Sequence, residues 1–336
     1  MKEAILYKKL DDKRVSCFLC SHHCLIDSGH RGFCGVRENQ DGTLMTLVYG
    51  RLIAQHVDPI EKKPLFHFLP GSKSYSIATA GCNFSCLFCQ NADISQAPRD
   101  RHVIFGDLAT PRSVVENAKR TGCRSIAYTY TEPTIFMEFA LEASQLAHEN
   151  GIRNVFVTNG YMTERALKTI SPYLDAANVD LKSFDDSFYR EQCGAQLAPV
   201  LRTLGRMKEM GIWVEVTTLI IPGLNDDPEK LKALAAFLVS LGSHIPWHVS
   251  RFYPQYQLTQ LPPTPVKTLH MARTIGLEAG LKYVYTGNIP GNEGESTYCH
   301  RCSEALINRH GFSMEKVGID KGKCRQCGAP AAGVQM

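Results

Sequence analysis

Thirteen cysteines in 336 residues are the groups with most chemistry to offer, and their spacing says more than their number. Eleven fall into three clusters: Cys17, Cys20, Cys24 and Cys34; Cys82, Cys86 and Cys89; and Cys299, Cys302, Cys324 and Cys327. Cys123 and Cys193 stand alone. An odd count argues against a full disulfide framework. The opening stretch MKEAILYKKLDDKR is charged and lacks the apolar run of a secretory signal, so a reducing, cytoplasmic setting is expected. Clustered thiols in such a setting read as metal sites.

The central segment GCNFSCLFCQN has the spacing C-x3-C-x2-C. A closed 4Fe–4S electron carrier uses four cysteines, so three leave one iron open, as a catalytic centre needs. A zinc knuckle is disfavoured, because structural zinc takes four ligands and no fourth follows in the segment. The N-terminal tetrad, C-x2-C-x3-C-x9-C, predicts a closed site for structural zinc or an accessory iron–sulfur cluster. His22, His23 and His30 are possible substitute ligands, and Arg31 and Arg37 sit close enough to lower thiol pKa values. The tail tetrad is two C-x-x-C knuckles, with Gly328 after the last cysteine as in zinc ribbons and rubredoxin-like folds. Zinc or a single iron is the first reading there, and a second 4Fe–4S cluster the alternative. Cys193, in YREQCGAQLAPV, belongs to no cluster; it is a speculative catalytic residue facing substrate, against the plainer reading of a small buried hydrophobe.

Strand-like runs rich in Val, Ile, Thr and Tyr occur at 75–81, 125–130, 154–160, 177–183, 213–223, 247–254 and 283–288. Helical patterns lie between them at 112–122, 134–150, 199–211, 228–242 and 265–280, several opening with Pro and closing with Gly. This alternation predicts an α/β fold with a parallel sheet, as a partial or near-complete TIM-like (β/α) barrel; a doubly wound open sheet is the runner-up. Three sections are expected: a Cys-rich one over 1–70, the barrel over 71–288, and a zinc-ribbon or rubredoxin-like tail over 289–336. In a barrel, chemistry gathers at the C-terminal ends of the strands. The central cysteines, Glu132, Asn159, Lys182 and Asn288 all fall there. A formal charge of +4 gives no case for a nucleic-acid binder, and no stretch reads as a membrane span.

The central motif, with Phe88 before its last cysteine, resembles the signature of the radical S-adenosylmethionine (SAM) superfamily. The resemblance implies that SAM fills the open iron through its amino and carboxylate groups. An electron then breaks a C–S bond, and a 5′-deoxyadenosyl radical abstracts hydrogen from a substrate. An acidic motif after the second strand, often Gly-Gly-Glu, meets the SAM amino group in that superfamily; here TYTEP offers Thr131 and Glu132, without the glycines. VDLKS resembles the Asp-Leu-Lys motif of pyruvate formate-lyase activating enzymes and places Asp180 and Lys182 at the rim. Asn159, Thr217, Tyr253 and Asn288 are further cofactor-binding candidates.

A narrower resemblance spans nearly the whole chain. CFLCSHHCLIDSGHRGFCGVREN, GCNFSCLFCQN, YTYTEPTIF, VYTGN and CHRC…CRQCG are together similar to the AmmeMemoRadiSam system radical SAM enzymes. That family implies Memo-like and AMMECR-type partner proteins. An electron donor such as ferredoxin or flavodoxin is also implied. The expected reaction is radical modification of a small molecule or partner protein. The alternatives are installation of a glycyl radical, a non-catalytic multi-cluster electron-transfer protein, and a zinc-rich interaction module.

Overall fold

A computed structural model describes residues 1–289, 291 and 293–336. Eight strands form one sheet: β1 Ala54–Pro59, β2 Lys73–Ala78, β3 Ser125–Tyr128, β4 Arg153–Thr158, β5 Ala176–Asp180, β6 Trp213–Ile220, β7 Trp247–Arg251 and β8 Val284–Gly287. Neighbours in the sheet are neighbours in sequence, from β1 at one edge to β8 at the other. From β2 onward every pairing is parallel; Ser125, for example, lies opposite Ser74 on one side and Arg153 on the other. The strand order never reverses, which excludes the doubly wound alternative. The two edge strands do not pair, so the barrel is partial.

The seven expected runs all became strands, because each is apolar enough to be buried on both faces. All four residues of β3 are buried, as are Asn154, Val155 and Phe156 of β4. Helices α1 Pro111–Arg120, α2 Met137–Glu149, α3 Glu164–Ile170, α4 Leu197–Glu209, α5 Pro228–Leu241 and α6 Val266–Glu278 follow their strands. Local chemistry sets their starts. Thr110 accepts the Ser113 N–H ahead of Pro111, and Asp227 accepts the Glu229 N–H ahead of Pro228.

Two elements have no strong signal in the sequence. Strand β1, AQHVDP, shows no apolar alternation and leaves His56 and Val57 exposed; it exists through its antiparallel pairing with β2, Ala54 opposite Ala78. The short α3, ERALKTI, is set by Thr163, whose hydroxyl accepts the Ala166 N–H.

The segment after β1 closes the floor of the barrel. Ile60, Leu65, Phe68 and Leu69 pack beneath Ala127, Val155 and Ala176. Glu215 of β6, fully buried, accepts from the Phe66 and His67 backbone N–H groups at 3.0 and 2.7 Å and from Trp213 Nε1 at 3.1 Å. His248 Nε2 lies 2.7 Å from Oε2, the oxygen that also accepts from Phe66. Burial alone would raise the Glu215 pKa, but the His248 hydrogen bond and charge bring it below the ordinary carboxylate value.

The tail joins this floor. Its hairpin, β9 Ala305–His310 and β10 Ser313–Lys316, carries the buried Arg309, which donates to Thr297 Oγ1 at 2.6 Å and to the Phe66 carbonyl at 2.8 Å. At the other end of the chain, the hairpin Val15–Cys17 with Leu25–Ile26 sits at the barrel rim, where Cys20 bridges to Met162. Val15, Leu19 and Val36 share one buried cluster with Phe84, Phe156 and Tyr161.

Helix α6 meets β7 and β8 at Gly276. A Cβ there would lie 2.8 Å from Trp247 Cε3 and 2.9 Å from Val284 Cγ2. Trp247 is fully buried and cannot give way. Gly276→Ala should therefore destabilise the fold by about 1–3 kcal/mol through overpacking. A lower midpoint of chemical denaturation at unchanged slope is the expected readout, and an unchanged midpoint would contradict this packing.

Candidate active site

The strand ends from β2 to β8 open onto a cavity of about 940 Å³. The loop leaving β2 carries Cys82, Cys86 and Cys89 into its wall. Gly81 makes that path available: it has φ of +102°, and a Cβ would lie 2.6 Å from Val36 Cγ1. The sulfurs are individually supported. Cys82 Sγ accepts the Phe84 N–H at 3.4 Å, Cys89 Sγ lies 3.1 Å from the Ser95 hydroxyl, and the Cys86 thiol is hydrogen-bonded with Cys193.

Burial and the Glu132 charge push the Cys82 thiol well up, the Cys193 hydrogen bond and burial do the same to Cys86, and burial raises Cys89. Such thiols keep their protons until a cation replaces them. Three soft donors at one cavity wall, beside Asn83 with its buried and unpartnered Nδ2, fit an iron–sulfur cluster whose irons supply that charge.

Glu132, 1% exposed, stands next to this loop and lines the cavity. One oxygen accepts from the Thr134 N–H at 3.0 Å, the Thr134 hydroxyl at 2.5 Å and the Thr158 hydroxyl at 2.7 Å. The other accepts only the Asn159 N–H at 2.8 Å, leaving acceptor capacity toward the cavity. Burial raises its pKa against these bonds. Asn159 donates to Asn83 Oδ1 at 2.7 Å and points the same Nδ2 at Cys82 Sγ, 3.9 Å away.

Asp180 and Lys182 form an ion pair at 3.0 Å on the cavity wall, with Lys182 Nζ 5.7 Å from the Phe88 ring. Burial would lower the Lys182 pKa, but the charges of Asp180, Cys86 and Cys193 outweigh it and hold the ammonium well above its ordinary value. Phe88, Thr131, Thr217, Tyr253 and Asn288 line the same cavity. Thr131 is tied to the Thr79 carbonyl at 2.8 Å and Thr217 to Asn178 Oδ1 at 2.9 Å. On the far rim Asn288 donates to Ser250 Oγ at 2.9 Å, and the Tyr253 hydroxyl to the Asn288 carbonyl at 3.3 Å.

Cys193 is the candidate that lies elsewhere. Its side chain is fully buried behind Cys86 and is not part of the cavity lining, so a direct meeting with substrate does not follow from its position. Conversely, Glu61, Phe66, His248, Glu295 and Phe312 line the cavity without a motif to announce them. Glu61 is 2% exposed and its Oε2 has no partner. Apart from His248, which β7 itself carries, only the packing of distant segments against the barrel brings these residues to the cavity.

All thirteen cysteines are free thiols. In the tail, Cys299 and Cys327 sulfurs lie 3.6 Å apart and Cys302 and Cys324 sulfurs 3.7 Å apart. All four lie within 4.8 Å of one another. A tetrahedral ion with metal–sulfur bonds of about 2.3 Å has edges of about 3.8 Å, so this cage suits one ion. The four N-terminal sulfurs share a neighbourhood too: Cys17, Cys24 and Cys34 all act on the Cys20 thiol.

Residues 76–235 match the radical SAM superfamily. Over 331 residues, 98% of each chain, the sequence is 48% identical to the uncharacterized protein MJ0808 of Methanocaldococcus jannaschii. It is 22% identical over 179 residues to the pyruvate formate-lyase-activating enzyme of Staphylococcus epidermidis, covering 51% of this chain and 71% of that one. In fold it is similar to Streptococcus suis SuiB bound to the precursor peptide SuiA, with a TM-score of 0.52 and 13% identity over 69% of this chain and 52% of that one. The chain therefore belongs to the radical SAM superfamily, and it is related to pyruvate formate-lyase-activating enzymes. Proteins of this superfamily use a 4Fe–4S cluster and S-adenosylmethionine. No helix among the described residues is long and apolar enough to cross a membrane.

The tail cage and the cavity are linked through Arg309 and Phe312 on one hairpin. Replacing Cys324 and Cys327 by Ser should lose one metal equivalent and loosen 305–316. Amide exchange there should quicken by about tenfold or more, about 1.4 kcal/mol of local protection, while β3 to β5 stay protected. Metal analysis with hydrogen exchange checks this; unchanged exchange despite metal loss would refute a structural role for the ion.

Proposed function

We propose that this protein reductively cleaves SAM at a 4Fe–4S cluster held by Cys82, Cys86 and Cys89, and that its substrate is a small molecule or a partner protein. The observation carrying this reading is that three thiols open onto the same cavity as Glu132, Asn159 and Lys182. The cluster, when bound with SAM, supplies one electron to the sulfonium; methionine and a 5′-deoxyadenosyl radical result, and the radical takes a hydrogen atom from the substrate. The chain's own residues bind and orient. The free acceptor position on Glu132 receives the SAM ammonium. Lys182 meets the SAM carboxylate or ribose, with Asp180 holding it in place. Phe88, Thr131, Asn159, Thr217, Tyr253 and Asn288 complete the pocket. Cys193 steadies the ligand Cys86 from behind.

Reduced ferredoxin or flavodoxin is the fitting class of electron donor. The joint sequence motifs support membership of the AmmeMemoRadiSam system, with Memo-like and AMMECR-type partners. A second reading, installation of a glycyl radical, is favoured by the kinship with activating enzymes and by the Asp180–Lys182 pair. Anaerobic 5′-deoxyadenosine assays with and without each partner protein discriminate the two. Stimulation by Memo-like or AMMECR-type proteins supports the first, and a glycyl radical signal on an added glycyl-radical enzyme supports the second.

Cys86→Ala should abolish 5′-deoxyadenosine formation while the circular dichroism of the barrel persists. Product formation at the parent rate would sink the proposal. Glu132→Gln should weaken SAM binding by about 10- to 100-fold, since a hydrogen bond between charged groups is worth about 1.5–3 kcal/mol. Iron content should hold. Equilibrium binding of SAM to the iron-loaded variant is the measurement, and unchanged affinity counts against Glu132.

A further inference from the structure

The three cysteine clusters of this chain fall into two geometric types. Among the described residues, the tail tetrad is the one group of three or more Cys, His, Asp and Glu side chains whose ligating atoms all lie within 4.8 Å of one another. Its sulfur separations of 3.6 and 3.7 Å match the edge of about 3.8 Å expected around a single tetrahedral ion. Neither the central triad nor the N-terminal tetrad meets that spacing. A cubane cluster presents a separate iron to each thiolate, so it holds its ligands farther apart than one ion does.

The N-terminal sulfurs nonetheless converge. Cys17, Cys24 and Cys34 all lie within electrostatic reach of Cys20, and Cys17 and Cys24 within reach of Cys34. Each sulfur also meets an N–H donor. Arg37 Nη1 lies 3.7 Å from Cys17 Sγ, and the Phe33 N–H 3.5 Å from Cys24 Sγ. The His22 and Val36 backbone N–H groups serve Cys20 and Cys34. Arg37 is buried and paired with Glu138, so one fixed cation stands beside the tetrad. Hydrogen bonds and positive charge around thiolate sulfurs stabilise a reduced cluster.

Two direct contacts join this tetrad to the catalytic loop. His22, between Cys20 and Cys24, places Nε2 2.7 Å from the carbonyl of Asn83, the residue after Cys82. On the other side, Gly81, the residue before Cys82, packs so closely on the 34–36 turn that a Cβ would lie 3.3 Å from the Cys34 carbonyl.

We propose that Cys17, Cys20, Cys24 and Cys34 hold a second iron–sulfur cluster, in electronic contact with the one on Cys82, Cys86 and Cys89. The contact half rests on the reading of the central triad given above; the cluster half does not. No bond is made or broken in the protein: one electron enters from a one-electron reductant of the ferredoxin or flavodoxin class and one leaves for the catalytic cluster.

The test uses the full chain reconstituted anaerobically with iron and sulfide. In the Cys82→Ala, Cys86→Ala, Cys89→Ala variant, iron and acid-labile sulfide should fall to about half and the brown colour should remain. A colourless variant, or one carrying zinc at the tetrad, overturns the proposal. If this variant loses no iron, the reading of the triad fails while the tetrad cluster stands. Should Cys20→Ala, Cys24→Ala fold, it should lose the complementary half. Electron paramagnetic resonance of the fully reduced parent should show two interacting signals, with splitting or fast relaxation absent from either variant. Two signals that simply add would overturn the contact between them.

Discussion

A carboxylate taken wholly out of water at Glu215 constrains the floor of this barrel. An unpaired buried charge costs several kcal/mol, so its oxygens need donors of good geometry. The backbone N–H groups of Phe66 and His67, the Trp213 indole and His248 provide them. Two of those donors lie in a segment almost 150 residues away in sequence, so satisfying one charge pins that segment under β6 and β7. The chain of contacts continues from His67 Nε2 to the Tyr285 hydroxyl at 2.5 Å, from Tyr285 to Thr297 at 2.8 Å, and from Thr297 to Arg309 at 2.6 Å. Burial holds His67 near neutral, with its pKa lowered to about 4, so it takes part as a hydrogen-bonding ring rather than a second buried cation.

That floor leaves the other end of the barrel free for chemistry. Parallel strands send all their C-terminal ends to one rim, and the loops there supply the cysteines, Glu132, Asn159 and the Asp180–Lys182 pair. The site is preorganised. Glu132 already holds four donors, and Lys182 is fixed by its partner and by the packing of Phe88. A ligand entering the cavity therefore meets groups whose rotamers are set before it arrives, which lowers the entropic cost of binding.

The Cys-rich ends of the chain belong to the same architecture. The N-terminal section packs its apolar residues into the barrel's own cluster and lends β1 to the sheet. The tail sends Glu295 and Phe312 to the cavity wall, Phe312 from the turn of the hairpin whose Leu306 and Ile307 pack with its cage of four sulfurs. Short segments like these have too little apolar surface to fold independently, so packing against the barrel holds them.

Local chemistry sufficed for much of this. The period-two runs, the Pro and Gly punctuation and the C-x3-C-x2-C spacing are short-range signals, and the seven strands, five of the flanking helices and the central triad followed from them. So did the candidacy of Glu132, Asn159, Asp180 and Lys182, which sit where predicted strands end. Strand β1 was illegible because its faces carry no hydrophobic contrast, and α3 because seven residues are too few for a helical period. The place of Cys193 behind Cys86, the convergence of Glu61, Phe66 and Phe312, and the tight cage of the four tail sulfurs depend on contacts between residues far apart in the chain. Spacing along a sequence limits which thiols can share a metal; the distances between them, and what else reaches the same cavity, are set only when burial of distant segments is satisfied together.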